Sequence, residues 1–288
     1  MREEVKKVLT ENELNEAKEK ADHFFEKDNE NPRLLSLTHE NVVMVEALIC
    51  MDSAYLKSSD RNAAPVSKRN GKLKYGGSIA YWMSKLSNCY KTNGIEFNDL
   101  INGAVDAVDR ETSTHLNSDG IGRKITKERI INYGAKNLYT TLKSKDENKY
   151  NLFRELASLT TENDGGRCNV SFATKFCHYA SYYLFEGEEQ QDNFSIYDSV
   201  VMSVLLEYAQ HWQVNMNDTI FNGNENDYKR NGYKAVNDYK HNPDGVCQFY
   251  KDYSAVIGEI IKNSGNQISR NGFDHLLWYY HKGHPIDD

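Results

Sequence analysis

Proline is scarce, four in 288 residues, and strand-like alternation of apolar and polar residues is nearly absent. A chain with so few breaks leaves helical periodicity free to recur from end to end. The five cysteines, Cys50, Cys89, Cys168, Cys177 and Cys247, are dispersed, with no CxxC pair. That odd, dispersed set fits reduced thiols better than a disulfide framework or a zinc site. No apolar run reaches the length of a bilayer span. The charged N-terminus, MREEVKKVLTENELNEAKEK, lacks the apolar centre of a signal peptide. The expectation is a soluble, cytoplasmic protein with no membrane partner. A P-loop is missing, and so is an HxE followed by PCxxC, so zinc deaminase chemistry is not expected. Positive charge is not in excess: 35 Lys and Arg stand against 42 Asp and Glu, a net −7. The whole chain therefore does not advertise affinity for nucleic acid, although local basic faces decide phosphate contact.

Tyrosine is abundant, nineteen residues, and serves equally as core, groove lining or stacking surface. Thr10 and Glu13 form a capping box, and Thr38 is placed to cap HENVVMVEALICMDSAYL. Further helices are expected in SIAYWMSKLSNCYK, in FNDLINGAVDAVDRET, in KERIINYGAKNLYTTL with Thr126 as cap, and in NKYNLFRELASL. Beyond the central stretch, SVVMSVLLEYAQHW, NDYKRNGYKAVNDYK, GVCQFYKDYSAVIGEIIKN and RNGFDHLLWYYHKG read the same way, with Gly265 and Gly283 at C-terminal cap positions. The expected class is all-α. The longest loop spans Ser58 to Gly77 and is basic in its second half. Two more basic patches run through Arg123, Lys124 and Lys127, and through Lys136, Lys143 and Lys145. Each patch reads first as a solvated face.

Two residues stand out against this background. In a helix over 171–185, Phe172, Phe176, Tyr179, Ala180 and Tyr183 share one face, and Lys175 lies at its border. Partial burial and the positive end of the helix dipole both disfavour an ammonium there. A neutral amine is what a nucleophilic lysine supplies, whereas the plainer alternative is a lysine whose stem lies on apolar surface and whose head reaches water. Asp198 precedes the apolar SVVMSVLLEYA and is a natural N-cap. Hydrogen bonds from the free N–H groups keep such a carboxylate ionised, which also suits a developing cation.

Ser171, Ala173, Thr174 and Lys175, followed by Ile196, Tyr197 and Asp198, resemble the lysine and aspartate motif of the helix-hairpin-helix DNA glycosylases, in particular the 8-oxoguanine glycosylase branch and its bacterial relatives. On this resemblance NKYNLFRELASL is the first helix of the hairpin and TTENDGGRCNV its turn, with Gly165, Gly166, Arg167 and Ser171 gripping a DNA phosphate. The two glycines that usually stand just before the lysine read Ser171 and Ala173, and the Val-Pro-Val lead into the aspartate reads Ser-Ile-Tyr. The four-cysteine iron–sulfur pattern of some relatives is absent, so no cluster is expected. The resemblance implies a single unit of two helical lobes, about residues 1–145 and 146–288, with a cleft between them. It also implies duplex DNA as partner, with a modified base flipped out of the stack, and no metal, organic cofactor or obligate protein partner. Lys175 would attack the sugar C1′, with strand nicking possible through a Schiff base, and Asp198 would stabilise the oxocarbenium-like sugar. Trp278, Tyr279, Phe273 and Trp82 are candidates to stack on the base, although each reads first as core. His178 could touch a phosphate or order a water but reads first as a satisfied surface histidine, and Arg123 and Lys124 are candidates to meet DNA. The base would be oxidised guanine, or a bulkier modified base of the kind carried by phage DNA, which would make the chain a defence factor.

Two other readings are open. Arg270, Asn271 and His275 resemble the Arg-polar-x3-His motif of the all-α HEPN ribonucleases. A non-catalytic all-α DNA- or protein-binding module is the third possibility.

Overall fold

The computed structural model describes residues 11–55, 66–69, 72–87, 95–112, 114, 116, 121–158, 168–216, 242–284 and 286. Over these residues the fold is all-α, as the periodicity predicts. In chain order it comprises α1 (Glu11–Asp22), α2 (His39–Tyr55), a hairpin of β1 (Val66–Arg69) and β2 (Lys72–Tyr75), α3 (Ile79–Leu86), α4 (Ile95–Thr112), α5 (Ile121–Tyr133), α6 (Ala135–Lys143), α7 (Tyr150–Ala157), α8 (Val170–Leu184), α9 (Ser199–His211), α10 (Pro243–Asn263) and α11 (Arg270–Gly283).

The helix starts follow their caps. Thr38 Oγ1 accepts from Asn41 N at 3.3 Å ahead of α2, and Ser78, Asp198, Asn242 and Ser269 cap α3, α9, α10 and α11 through their side chains. Gly265, at φ +99°, closes α10 in the left-handed conformation expected of it. Gly283 instead remains the last residue of α11.

Three expectations are corrected. The helix expected through KERIINYGAKNLYTTL is two helices, because Gly134 adopts φ +82° and breaks the run between α5 and α6. Thr126 is not a cap: it lies inside α5, where its hydroxyl donates to the Gly122 carbonyl at 2.8 Å. The Ser58–Gly77 loop contains the antiparallel hairpin, with Val66 opposite Tyr75 and Arg69 opposite Lys72. The Asn-Gly dipeptide in the sequence between the strands is the hairpin signal that periodicity alone passes over. Thr10 of the capping box, the helix expected over 226–240, and Gly165, Gly166 and Arg167 lie outside the described residues.

The core positions the site. One hydrophobic cluster runs from Phe25 to Tyr280 and takes in side chains from both halves of the chain. At its centre is α8, which packs against α3, α4, α6 and α7, while α11 packs against α2, α9 and α10. The expectation of a half-buried α8 is therefore too modest. Val170, Phe172, Ala173, Thr174, Lys175, Phe176, Cys177, His178, Ala180 and Ser181 are all buried, the signature of a helix surrounded on nearly every side. Among the described residues no helix is long and apolar enough to cross a membrane.

Candidate functional site

Lys175 and Asp198, twenty-three residues apart, converge. Lys175 is only 9% exposed, and its Nζ lies 3.5 Å from Asp198 Oδ2. The same Nζ donates to the Thr112 carbonyl at 3.3 Å. Thr112 is the last residue of α4, and carbonyls at a helix C-terminus carry partial negative charge. Both contacts are ones an ammonium makes, so the resting amine faces oxygen acceptors and not merely the dipole of its own helix. Asp198 Oδ1 meanwhile accepts from Val200 N at 2.9 Å, capping α9. Its two oxygens thus divide between the cap and the lysine.

The neighbours of the pair explain its alignment. Thr174 Oγ1 donates to the Ser171 carbonyl at 3.1 Å and accepts from Tyr197 N at 3.1 Å. The residue before the lysine therefore holds the residue before the aspartate. The rest of the lead-in, Phe194 to Tyr197, is buried without regular structure, so its backbone polar groups need side-chain partners. Tyr250 and Tyr253 of α10 supply them, donating their hydroxyls to the Ser195 and Ile196 carbonyls, each at 2.8 Å. Some of the abundant tyrosine is used in this way, as buried donors to a loop.

A second carboxyl acts electrostatically on the pair. Asp274, on α11, is 5% exposed, and its Oδ1 has no hydrogen-bond partner. Burial pushes its carboxyl up to about 7, with His275 and Lys175 pulling it down and Asp198 pushing it further up. Next to it, His275 Nδ1 meets Glu46 Oε1 of α2 at 2.6 Å. Burial opposes the imidazolium, yet the bond to Glu46 and the charge of Asp274 raise the His275 pKa. The bond from His275 in turn lowers that of Glu46. Trp278 follows Asp274 by one turn on the same face of α11, half-buried, with Lys282 Nζ 4.8 Å from its ring.

Several expected site residues are elsewhere or otherwise engaged. His178 is not a surface histidine. It is 1% exposed, with Nδ1 2.8 Å from the Phe194 carbonyl and Nε2 2.9 Å from Asn271 Oδ1. Burial drives its pKa down to about 4, so it is a neutral tie between α8, the lead-in and α11 and cannot reach a phosphate. Phe273 is fully buried edge-on to Tyr208, on the core side of α11. Trp82 lies flat against Gly103 of α4, where a Cβ would run into its indole, and its Nε1 donates to the Gly76 carbonyl. Both are packing residues, because aromatics at helical spacing fill the core first. Arg123 is committed to Asp109 and Asp106 of α4, and Lys127 to Asp106 at 2.6 Å. Lys143 and Lys145 pair with Glu188 and Glu189. Lys124 stays exposed, 3.8 Å from Glu128, and Ser171 stays half-buried at the start of α8. Among the described residues, no three His, Cys, Asp or Glu side chains are grouped to hold a metal ion. A separate open depression lined by Asp28, Ser36, His211, Trp212 and Asn263 shares no residue with the Lys175 cluster.

Arg270 and His275 do not form a common site. Arg270 Nη1 donates to Ser195 Oγ at 2.8 Å and to the Ser254 carbonyl at 2.6 Å, while His275 is turned to Glu46. The guanidinium lies over Gly258, where a Cβ would collide with it. This is a structural clamp on the lead-in to Asp198. Arg270→Ala should cost about 2–4 kcal/mol, since it strands buried acceptors and leaves a void. Denaturant unfolding measures this. A catalytic arginine would leave the midpoint nearly unmoved.

Sequence reasoning missed Asp274 and Glu46. A signal for the first was present: Arg270, Asn271, Asp274 and His275 recur at i, i+1, i+4 and i+5 on a helix otherwise rich in Phe, Leu, Trp and Tyr. A polar stripe inside an apolar helix marks either a solvated face or a buried cluster, and periodicity cannot tell which.

Comparison with known proteins leaves the chain unplaced. It matches no family model, no curated protein and no solved structure.

Proposed function

We propose that the chain is a DNA glycosylase of the helix-hairpin-helix kind, with Lys175 as nucleophile and Asp198 as the stabiliser of sugar charge. The observation that carries this reading is the convergence of a buried lysine and a helix-capping aspartate at 3.5 Å. A lysine sequestered from water beside a fixed carboxylate is an uncommon arrangement, costly to bury and suited to attack on an electrophilic carbon. The order of α7, a connection and α8, with Asn169 N bonded to the Ala157 carbonyl at 3.2 Å across that connection, supports a hairpin. Trp278, one turn from Asp274, supports a flat wall for an extruded base.

In this reading duplex DNA presents a modified base that has swung out of the stack, because its glycosidic bond cannot be reached otherwise. The Lys175 amine bonds to C1′ as the base departs, Asp198 offsets the positive charge that develops on the sugar, and a Schiff base then allows β-elimination of the 3′ phosphate. Oxidised guanine and a bulkier modified base of phage DNA are the two substrates to distinguish, the first a repair role and the second a defence role. Duplexes carrying 8-oxoguanine, a glucosylated pyrimidine or an abasic site, incubated with the protein and borohydride, test this. Base release with a trapped covalent adduct is expected. Release of neither base, with no adduct on any duplex, would remove the reading.

A further inference from the structure

We propose that Asp274 is the proton acceptor that converts the Lys175 ammonium into a nucleophilic amine; the inference rests on the glycosylase reading above. The need for such a group follows from the contacts of Nζ. An ammonium held by the Thr112 carbonyl and by Asp198 has no lone pair to attack with. Asp198 is poorly suited to relieve it. One of its oxygens is engaged with Val200 N, and protonating it would remove the charge needed against the developing cation.

Asp274 has the complementary features. It is buried, its Oδ1 is unpartnered, and an orphaned polar atom in a native core calls for an explanation. The bond between His178 and Asn271 ties α8 to α11. Lys175 lies one turn before that histidine, Asp274 lies one turn after that asparagine, and the charges of the two act on each other. The groups facing this carboxyl come from several elements. From α8 there are Lys175 and Tyr179, and at the start of α9 there is Asp198. His275 stands beside it on α11, backed by Glu46 of α2. Glu111 of α4 acts on Tyr179, while α10 turns its Tyr250 and Tyr253 hydroxyls to the lead-in carbonyls. Burial among these charges holds the carboxyl at about 7, where a group can both take a proton and return it near neutral pH.

The step balances. The proton of Lys175 moves to Asp274, leaving a neutral amine and a carboxylic acid. The amine lone pair forms the bond to C1′, and the bond from C1′ to the base breaks with its electron pair going to the base. Asp274 then returns the proton to the departing base, restoring its carboxylate. The products are a neutral base and a sugar-linked ammonium at residue 175.

The test is the pH profile of single-turnover adduct formation on an abasic-site duplex, trapped with borohydride. In the native protein the productive state is one proton shared by Lys175 and Asp274. Its rate should therefore fall about tenfold per unit below about pH 7 and level off above it. Asp274→Asn has no acceptor and must wait for amine already neutral. Its rate should be at least ~10²-fold lower at pH 7, should show no plateau there, and should keep climbing as pH rises. A native profile without an inflection near 7 overturns the proposal without recourse to any variant. So does an Asp274→Asn profile that keeps the native shape. Absence of adduct from the native protein at every pH is the different result that removes the glycosylase reading beneath it.

Discussion

Lys175→Gln should abolish the trapped adduct and slow base release by at least ~10³-fold, the loss expected when an enzyme's covalent nucleophile is removed. Glutamine is one bond shorter, uncharged and still an N–H donor on the side of the Thr112 carbonyl, so the fold should persist. Asp198→Asn is the paired variant. Asparagine caps a helix as well as aspartate does, so α9 should keep the cap on Val200 N while the charge facing Lys175 is lost. A drop of about 10²- to 10³-fold in rate, with little change in melting temperature, is the outcome for a group that stabilises charge in the transition state. The two results separate chemistry from architecture. If Asp198 were only a cap, asparagine would preserve activity, and if Lys175 only filled space beside α4, glutamine would do the same.

The local features of this site were legible in the sequence to different depths. The cap at Asp198 and the helix bearing Lys175 could be read directly, because capping residues and 3.6-residue periodicity are properties of short segments. That the two meet required the resemblance, since nothing in either segment encodes a contact across 23 positions. What fixes the contact is Thr174 bonded to Tyr197, with Tyr250 and Tyr253 holding the carbonyls on either side of Ile196 N. Each of those residues looks like an ordinary helix or core residue in isolation. The burial of His178 was missed for the same reason. Surface and core aromatics have one local pattern, and only the packing of α3, α4, α6 and α7 around α8 decides between them. Asp274 was the costliest omission, because its meaning lies wholly in its neighbours.

That residue gives the second large effect, and its sign runs against intuition: Asp274→Asn should make the protein more stable at pH 8. The folded carboxyl keeps its proton up to about 7, against an ordinary value of 3.8. Between those two values the folded state binds a proton that the unfolded chain has released, so stability falls as pH rises through this window and levels off above about 7. A shift of about three units corresponds to at most about 4 kcal/mol, with the attraction of Lys175 and His275 already included in it. Asparagine cannot ionise and is close in shape to the protonated acid. The variant and the native protein should therefore unfold at similar denaturant concentrations at or below about pH 4, separate progressively up to about pH 7 and stay apart at pH 8, the variant being the more stable. Such a gain, obtained at the expense of the adduct-forming rate at neutral pH, is the pattern of a residue kept for chemistry and not for the fold. A destabilised variant at pH 8 would mean instead that the ionised carboxylate contributes net stability to the cluster, and that Asp274 is there to anchor Lys175 and His275.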